Sequence, residues 1–273
     1  MKNSPGFVTS LREELKGVMP VFQQRVHRAG GLSDAELVSL VTRMDADPAM
    51  YHPDQPTEKH VSREVSYADE QLGEDLIKSG QVALVIMAGG AGTRMGGPKL
   101  FARLPGLGVS LLAWKLMQAG EMPTWVMSSP GLTKQIQRHI SALALPMGMS
   151  GVVFEQFEGY RLTVDNRLLQ IAPGIPELYP LGHGDVGPAL VESGVLNDNP
   201  DVKYVVICNV DNVLASPHPG VLGHHVRSGK KVTCELVERQ KDDRGGVLAW
   251  VNGRLQVAED FRLPEGFSEA ALY

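Results

Sequence analysis

Residues 82–99 constrain the fold more than any other part of this 273-residue chain. They begin with six apolar residues, Val-Ala-Leu-Val-Ile-Met, which predict a strand covered on both faces of a parallel sheet. Five glycines follow within ten residues, and such a loop can bring its N–H groups close to an anion, above all a phosphate. Arg94 and Lys99 add full positive charges. The segment therefore predicts a nucleotide triphosphate site.

Two better-known phosphate motifs do not fit this loop. A P-loop needs Ser or Thr directly after its lysine, but Pro98 precedes Lys99 and Leu100 follows it. The dinucleotide fingerprint needs three spaced glycines. Gly90 and Gly92 begin that pattern, but Met95 stands in the third position. The loop is of a third kind.

Charge and hydropathy exclude several classes of protein. The net charge of −5 argues against a nucleic-acid surface. No apolar stretch approaches the roughly 18–20 residues that span a bilayer, and the N-terminus does not resemble a signal peptide. We therefore expect a cytoplasmic protein with neither nucleic-acid nor membrane partners. Cys208 and Cys234 lie in apparent strands and are expected to be buried free thiols rather than a disulfide.

The basic residues of segment 81–120 are not balanced by any acid. The segment carries a charge of +4, which leaves −9 for the remainder of the chain. This asymmetry is either chance or a basic funnel that attracts an anionic ligand. The residues concerned are Arg94, Lys99, Arg103 and Lys115.

The periodicity of the chain predicts two regions. Residues 1–80 read as a helical segment with a connecting strap, expected to pack on the remainder or to offer a partner surface. Its apolar spacing predicts one helix from Phe7 to Val26, another from Ser33 to about Arg43, and a third from Tyr67 to Lys78.

Residues 81–273 alternate between strand and helix patterns. This alternation predicts an α/β fold with a Rossmann-like mixed, mainly parallel sheet flanked by helices. After the first strand, the remaining strands are expected at Thr124–Ser128, Val152–Gln156, Tyr204–Val210, Val232–Glu238, Gly246–Val251 and Leu255–Glu259. A small hairpin is expected at Leu162–Leu169, turning at Asp165-Asn166.

The carboxyl ends of parallel strands are where such sheets bind ligands. Asp211 follows one predicted strand, where it could hold Mg²⁺ or simply form an Asx-turn. Gln156 ends another and could read an amide-like base edge. His183 lies between two glycines and should be accessible, and Asp185 is a candidate N-cap for the following helix. No Ser-His-Asp or activated cysteine arrangement indicates a covalent nucleophile.

Four ordered motifs resemble one family. They are Ala88-Gly-Gly-Ala-Gly-Thr-Arg-Met-Gly-Gly-Pro-Lys99, Pro180-Leu-Gly-His-Gly-Asp185, Asn209-Val-Asp-Asn212, and Gly245-Gly-Val247 followed by Gln256-Val-Ala-Glu259. Together they are similar to the UTP–sugar-1-phosphate uridylyltransferases, of the UDP-glucose or UDP-N-acetylhexosamine pyrophosphorylase type. The resemblance implies a nucleotide-diphospho-sugar transferase fold of GT-A-like form.

The resemblance also implies a role for each matched position. Catalytic charge would come from Arg94 and Lys99, and Asp211 would bind Mg²⁺. The residues that would contact the sugar phosphate are His183, Gly246 and Glu259. The residues that would contact the nucleotide are Ala88, Gly89, Gly90, Ala91, Gly92, Thr93, Met127, Gln156 and Gly182.

The implied reaction joins UTP and a hexose 1-phosphate by in-line transfer and releases pyrophosphate. His183 favours glucose 1-phosphate, whereas Asn209-Val-Asp-Asn212 leans toward an N-acetylhexosamine. After Ser268-Glu-Ala-Ala-Leu-Tyr273 the segments that follow in related enzymes, including a second active-site lysine, are not found. We therefore expect a catalytic domain incomplete at its C-terminus. A UTP-binding protein with little activity is the alternative. The sequence does not indicate an oligomeric state.

Overall fold

The structure is a computed structural model. It describes residues 5–27, 33–38, 64–90, 92, 96–238, 240, 246–251, 253–259, 263–265 and 267. The helices are α1 (Pro5–Lys16), α2 (Pro20–Val26), α3 (Tyr67–Lys78), α4 (Leu111–Ala119), α5 (Thr133–Met147), α6 (Val186–Glu192) and α7 (Pro219–Ser228). The strands are β1 (Val82–Met87), β2 (Thr124–Ser128), β3 (Val152–Glu155), β4 (Glu158–Tyr160), β5 (Gln170–Ala172), β6 (Ile175–Pro176), β7 (Leu178–Pro180), β8 (Tyr204–Asn209), β9 (Val247–Val251) and β10 (Arg254–Ala258).

A parallel four-stranded sheet in the order β3-β2-β1-β8 forms the centre of the molecule. Side chains of β1 from Val82 to Ile86 are fully buried, as the apolar run predicted. One face of the sheet packs against α4 and α5, and the other packs against α6 and Phe157. The prediction of an α/β fold with a helix-flanked parallel sheet is therefore confirmed.

The N-terminal helices pack on a small antiparallel pair formed by β4 and β7. Leu11 and Leu15 lie in one apolar cluster with Tyr160 of β4. Arg25 donates two hydrogen bonds to the Glu158 carboxylate, at 2.8 and 2.7 Å. This fork geometry suits arginine, and it fixes α2 to the strand that follows β3.

The single helix predicted from Phe7 to Val26 is wrong, because the structure divides it into α1 and α2. Gly17 follows the end of α1, and Pro20 opens α2. Proline has no N–H and is tolerated in the first helical turn, where no intrahelical partner exists for that group. The apolar spacing continues across this break, so periodicity alone did not reveal it. The second predicted helix is observed over residues 34–38, and its expected continuation and most of the strap lie outside the described residues.

Helix α3 forms as predicted, with a capping box between Ser66 and Asp69. It crosses α7 at two glycines, one on each helix. A Cβ atom on Gly73 would lie 1.8 Å from the Pro219 carbonyl oxygen, and one on Gly223 would lie 1.9 Å from the Asp69 carbonyl oxygen. The two backbones therefore touch, which attaches the N-terminal region to the edge of the sheet that carries β8.

The prediction of a strand at Val232–Glu238 is wrong, and so is the prediction that Cys234 is buried. Residues 232–238 form neither strand nor helix, and Cys234 is exposed. An extended segment becomes a strand only when neighbouring backbone groups pair with it, and no such neighbour is found in the described part of the chain. Cys208 is a buried free thiol in β8, as expected. Within the described residues, the last two strands pair with each other alone, as the hairpin β9–β10.

The hairpin predicted at Leu162–Leu169 is present. Leu162 and Leu168 form an antiparallel bridge, and Asn166 adopts a positive φ of 62° in the turn. Across the described ranges, no helix has both the length and the apolar character needed to cross a bilayer.

Candidate functional site

The carboxyl ends of the four parallel strands meet at one edge of the sheet. Backbone hydrogen bonds continue the pairing past the strand ends, from the Ala88 N–H to the Met127 carbonyl (2.8 Å) and from the Val210 N–H to the Met87 carbonyl (3.1 Å). The Gln156 N–H bonds in the same way to the Ser128 carbonyl at 2.9 Å. The polar strand ends singled out in the sequence therefore lie side by side.

The loop after β1 closes on itself through two glycines. Gly92 has a φ of +61°, and a Cβ atom there would lie 1.9 Å from the Gly97 carbonyl oxygen. Only glycine fits such a position. The Gly97 N–H also bonds to the Gly92 carbonyl at 3.3 Å. Ala91, Thr93 and Arg94 lie outside the described residues, so their assigned roles stay predictions.

Lys99 emerges from this loop and meets the end of β8. Its Nζ lies 2.7 Å from Asp211 Oδ2, although 112 residues separate the two in sequence. The hydrogen bond and charge of Lys99 lower the pKa of Asp211, and the charge of His183 adds to this effect. The structure thus brings Lys99, Asp211 and His183 together, and His183 is exposed as predicted.

Gln156 lies beside the glycine loop. Its side chain is only 3% exposed, and its Nε2 points to the Gly89 carbonyl at 3.5 Å. A Cβ atom on Gly89 would lie 2.2 Å from that same Nε2. Met127 lies in the neighbouring strand, buried in the core cluster on the α6 face. Gly89, Gln156 and Met127 therefore lie at adjacent strand ends, and their assigned contacts with the nucleotide stay predictions.

The loop from Leu181 to Asp185 lies against the end of β3. The Leu181 N–H bonds to the Phe157 carbonyl at 3.1 Å, and Gly182 has a positive φ of 107°. Asp185 does not cap α6 with its side chain, which corrects the N-cap prediction. Burial raises the pKa of Asp185, while a hydrogen bond from the Phe157 N–H lowers it in part. Asp185 therefore occupies the N-cap position of α6 without a side-chain capping hydrogen bond, and its Oδ2 is buried without a hydrogen-bond partner among the described residues.

Gly246 and Glu259 belong to the hairpin β9–β10. The atoms nearest to a Cβ on Gly246 come from Val257 and Ala258 of the same hairpin. Glu259 is exposed directly after β10. No contact described for Gly246 or Glu259 links them to Lys99 or Asp211. Their roles toward the sugar therefore stay predictions.

The donor groups near Asp211 suit magnesium better than zinc. Within the described ranges, no group of three or more His, Cys, Asp or Glu side chains could hold a metal ion. Mg²⁺ commonly uses one or two carboxylates and takes its remaining ligands from phosphates and water. Asn209 Oδ1 is buried close by in sequence and has no hydrogen-bond partner among the described residues. Asp211 therefore fits the metal role predicted for it, which remains a prediction.

Two cavities lie at opposite ends of the sheet. One, of about 290 Å³, is lined by residues 96–99, Phe101 and Ala102 of the phosphate loop. The larger, of about 580 Å³, lies at the amino ends of β2 and β3 and includes Met122, Thr124 and Met149. Ligands of parallel sheets bind at carboxyl ends, so the smaller cavity belongs to the candidate site.

Helix α4 contributes to the site in a way that the sequence reading missed. Lys115 was counted toward a basic funnel, but its side chain is 0% exposed and points into the protein. Its ammonium binds the Ala215 carbonyl, in the loop after Asp211. The sequence signal that could have indicated this burial is that Lys115 stands in the mostly apolar stretch Leu111–Ala119.

A family model described as UTP–glucose-1-phosphate uridylyltransferase matches residues 52–270, most of the chain. The chain belongs to the UTP–glucose-1-phosphate uridylyltransferase family. The four motifs recognised in the sequence lie within the matched range. The predicted family is therefore confirmed.

Individual relatives agree with this membership. A Schizosaccharomyces pombe protein named probable UTP–glucose-1-phosphate uridylyltransferase is 35% identical over 122 residues, which are 42% of this chain and 24% of that relative. The structure of Trypanosoma brucei UDP-N-acetylglucosamine pyrophosphorylase with an inhibitor has a TM-score of 0.67 at 21% identity, covering 94% of this chain and 62% of the other. That of Trypanosoma brucei UDP-glucose phosphorylase has a TM-score of 0.66 at 20% identity, covering 97% and 59%. These likenesses show the nucleotidyltransferase fold, and the chain spans less than two thirds of each relative.

Proposed function

We propose that this member of the uridylyltransferase family joins UTP and a hexose 1-phosphate to form a UDP-hexose and pyrophosphate, with Mg²⁺. The observation that carries the proposal is the 2.7 Å ion pair between Lys99 and Asp211. It joins a cation and a carboxylate at one edge of the sheet, beside the glycine loop. The family match makes nucleotidyl transfer the chemistry that this pair would serve.

Phosphate binding falls to the loop and to Lys99. The N–H groups around Gly89 and Gly90 would hold the triphosphate, since consecutive N–H groups form an anion-binding concavity. Lys99 would exchange its bond with Asp211 for phosphate oxygens, which leaves the carboxylate free to hold the metal ion. When bound, Mg²⁺ supplies charge stabilisation for the transferring phosphoryl group and the leaving pyrophosphate.

Base and sugar recognition fall to the neighbouring strand ends. Gln156 is buried beside Gly89, and its amide would hydrogen-bond uracil. Gly182 and His183 would contact the nucleotide and the sugar phosphate, and the charge of His183 contributes to the lowered pKa of Asp211. We favour glucose 1-phosphate because of His183; the Asn209–Asn212 motif keeps an N-acetylhexosamine 1-phosphate as the alternative substrate.

The reaction needs no covalent intermediate. A phosphate oxygen of the sugar 1-phosphate forms a bond to the α-phosphorus of UTP, and the bond from that phosphorus to the bridging oxygen of pyrophosphate breaks. Such transfer depends on positioning and on charge stabilisation. Lys99 and the loop backbone would supply both.

Product analysis with a panel of sugar 1-phosphates tests the proposal. UTP, Mg²⁺ and glucose 1-phosphate should give UDP-glucose and pyrophosphate in equal amounts, and N-acetylglucosamine 1-phosphate should give less product. If UTP raises the melting temperature but no sugar yields product, the protein binds UTP without catalysis. If UTP neither binds nor reacts, the proposed site is wrong.

A further inference from the structure

Lys115 is an ammonium group buried without a carboxylate. Its Nζ donates to Gln118 Oε1 at 2.9 Å and to the Ala215 carbonyl, and the residues described by the structure include no acidic ion-pair partner for it. Burying an isolated charge costs free energy that an apolar side chain would avoid. Packing of the core therefore does not explain why a lysine stands here.

Two neighbours of Lys115 on α4 bind the same loop. Trp114 Nε1 donates to the Val213 carbonyl at 2.9 Å, and Gln118 Nε2 donates to that carbonyl at 3.0 Å. We call Trp114, Lys115 and Gln118 the α4 clamp. Together they fix the carbonyls of residues 213 and 215, which lie two and four residues beyond Asp211.

The loop held by the clamp is short and internally bonded. The Val213 N–H bonds to the Asp211 carbonyl at 3.1 Å, and the Ala215 N–H bonds to the Asn212 carbonyl at 3.2 Å. Movement of Val213 or Ala215 therefore changes the position of Asp211. A hydrogen bond from a charged donor is stronger than one from a neutral donor, above all where water is excluded. Lys115 is thus the strongest member of the clamp.

The same helix also fixes the segment that carries Lys99. The Leu111 N–H at the start of α4 bonds to the Ala102 carbonyl at 2.9 Å, and the Ala102 N–H bonds to the Lys99 carbonyl at 2.8 Å. One end of α4 therefore holds the Lys99 turn, while its following turns hold the loop of Asp211. The helix serves as a common support for both halves of the ion pair.

We propose that the α4 clamp positions Asp211 relative to Lys99, and so sets the affinity of the site for its divalent cation. Lys115 touches neither nucleotide nor metal, and it acts as a positioning residue through the backbone of residues 211–215. This inference rests on the proposed function. A role in stability alone would instead weaken the whole sheet without a specific effect on the metal.

The test compares Lys115→Met and Trp114→Phe with Lys78→Met, which removes an exposed lysine on α3. Hydrogen exchange in the two clamp variants should become faster in residues 209–216 and stay unchanged in β1 and β2. The Mg²⁺ concentration for half-maximal UTP turnover should rise about tenfold, which is the lower end of the effect of losing a group that supports a metal ligand. UTP affinity measured in EDTA should stay unchanged, and the control should match the wild type.

Several results would overturn the inference. Unchanged exchange in residues 209–216, or an increase spread over the whole sheet, would show that the clamp does not position this loop. Faster local exchange with an unaltered Mg²⁺ dependence would show that the loop position does not set metal affinity. If Lys115→Met does not fold, Trp114→Phe decides by the same criteria. If the wild type itself shows no response to UTP or Mg²⁺, the proposed function fails, while exchange still reports whether the clamp holds the loop.

Discussion

Lys99 Nζ and Asp211 Oδ2 lie 2.7 Å apart, although the two residues are 112 positions apart in the sequence. Lys99 follows the loop after β1, and Asp211 lies two residues after β8, the strand next to β1. The pair is half-exposed, with 42% and 39% of the two side chains accessible. An exposed ion pair contributes little to stability, so its position at the strand ends is better explained by ligand binding. Phosphate that binds Lys99 would compete directly with Asp211.

Lys99→Met should remove the positive charge that neutralises phosphate. We expect UTP affinity to fall and turnover to drop by about 10²–10³-fold, the range for loss of one preorganised charge-stabilising group. Titration calorimetry and product formation measure the two effects. Lys78→Met, at an exposed lysine paired with Glu74, is the matched control and should leave both unchanged. Equal UTP affinity in Lys99→Met and the wild type would contradict the assignment of Lys99 to phosphate binding.

Asp211→Asn should affect metal binding without affecting nucleotide binding. Because the amide cannot replace the carboxylate charge, turnover that depends on Mg²⁺ should be lost. Affinity for UTP in EDTA should persist, because Lys99 and the loop remain. Asp201→Asn, at an exposed carboxylate before β8, should behave as wild type. Full activity of Asp211→Asn at low Mg²⁺ would contradict the metal role.

Gly90→Ala tests whether the nucleotide occupies the space beside the loop. A Cβ atom on Gly90 or on Gly131 would meet nothing within 4 Å, and neither residue has a positive φ. Both alanine variants should therefore keep the wild-type melting temperature. Only Gly90→Ala should weaken UTP binding, because its methyl group would enter the space assigned to the phosphates. Thermal shift with and without UTP measures both effects, and identical UTP responses would argue against this placement.

Gly73→Ala should destabilise the packing of α3 on α7. The added Cβ would lie 1.8 Å from the Pro219 carbonyl oxygen, and a backbone atom cannot move aside cheaply. We expect a loss of roughly 1–3 kcal/mol in the free energy of unfolding, as for other overpacked sites. Gly187→Ala in α6, where the Cβ meets nothing within 4 Å, should be neutral or gain up to about 1 kcal/mol. Urea unfolding compares the two, and equal stabilities would refute the close helix contact.

Much of this architecture could be predicted because it depends on local sequence. A continuous apolar run predicts the buried strand Val82–Met87. The glycine content of the next residues predicts the loop that follows it. The carboxyl-end rule then places Asp211 near Lys99 before any coordinate is known. Helix α3 could also be predicted, because the signals at its ends are local: Ser66 and Asp69 at its start, and Gly80 after its end.

Other features depend on which segments meet, and sequence patterns do not record that. Residues 232–238 have a strand-like pattern, but they do not pair in the described structure. Lys115 belongs to the charge asymmetry that the sequence leaves open between chance and a basic funnel, and its burial depends on the carbonyl of Ala215, a hundred residues away. Asp185 likewise stands at the N-cap position of α6, but its side chain makes no capping hydrogen bond there.

Chemical-shift mapping of UTP on the isotope-labelled protein tests the central claim most directly. We predict that the amide signals of Gly89, Gln156, Gly182 and Asp211, at the carboxyl ends of the sheet, shift on titration with UTP and Mg²⁺. Shifts confined to Met122, Thr124 and Met149, around the larger cavity at the opposite end, would contradict it. So would a spectrum that UTP leaves unchanged.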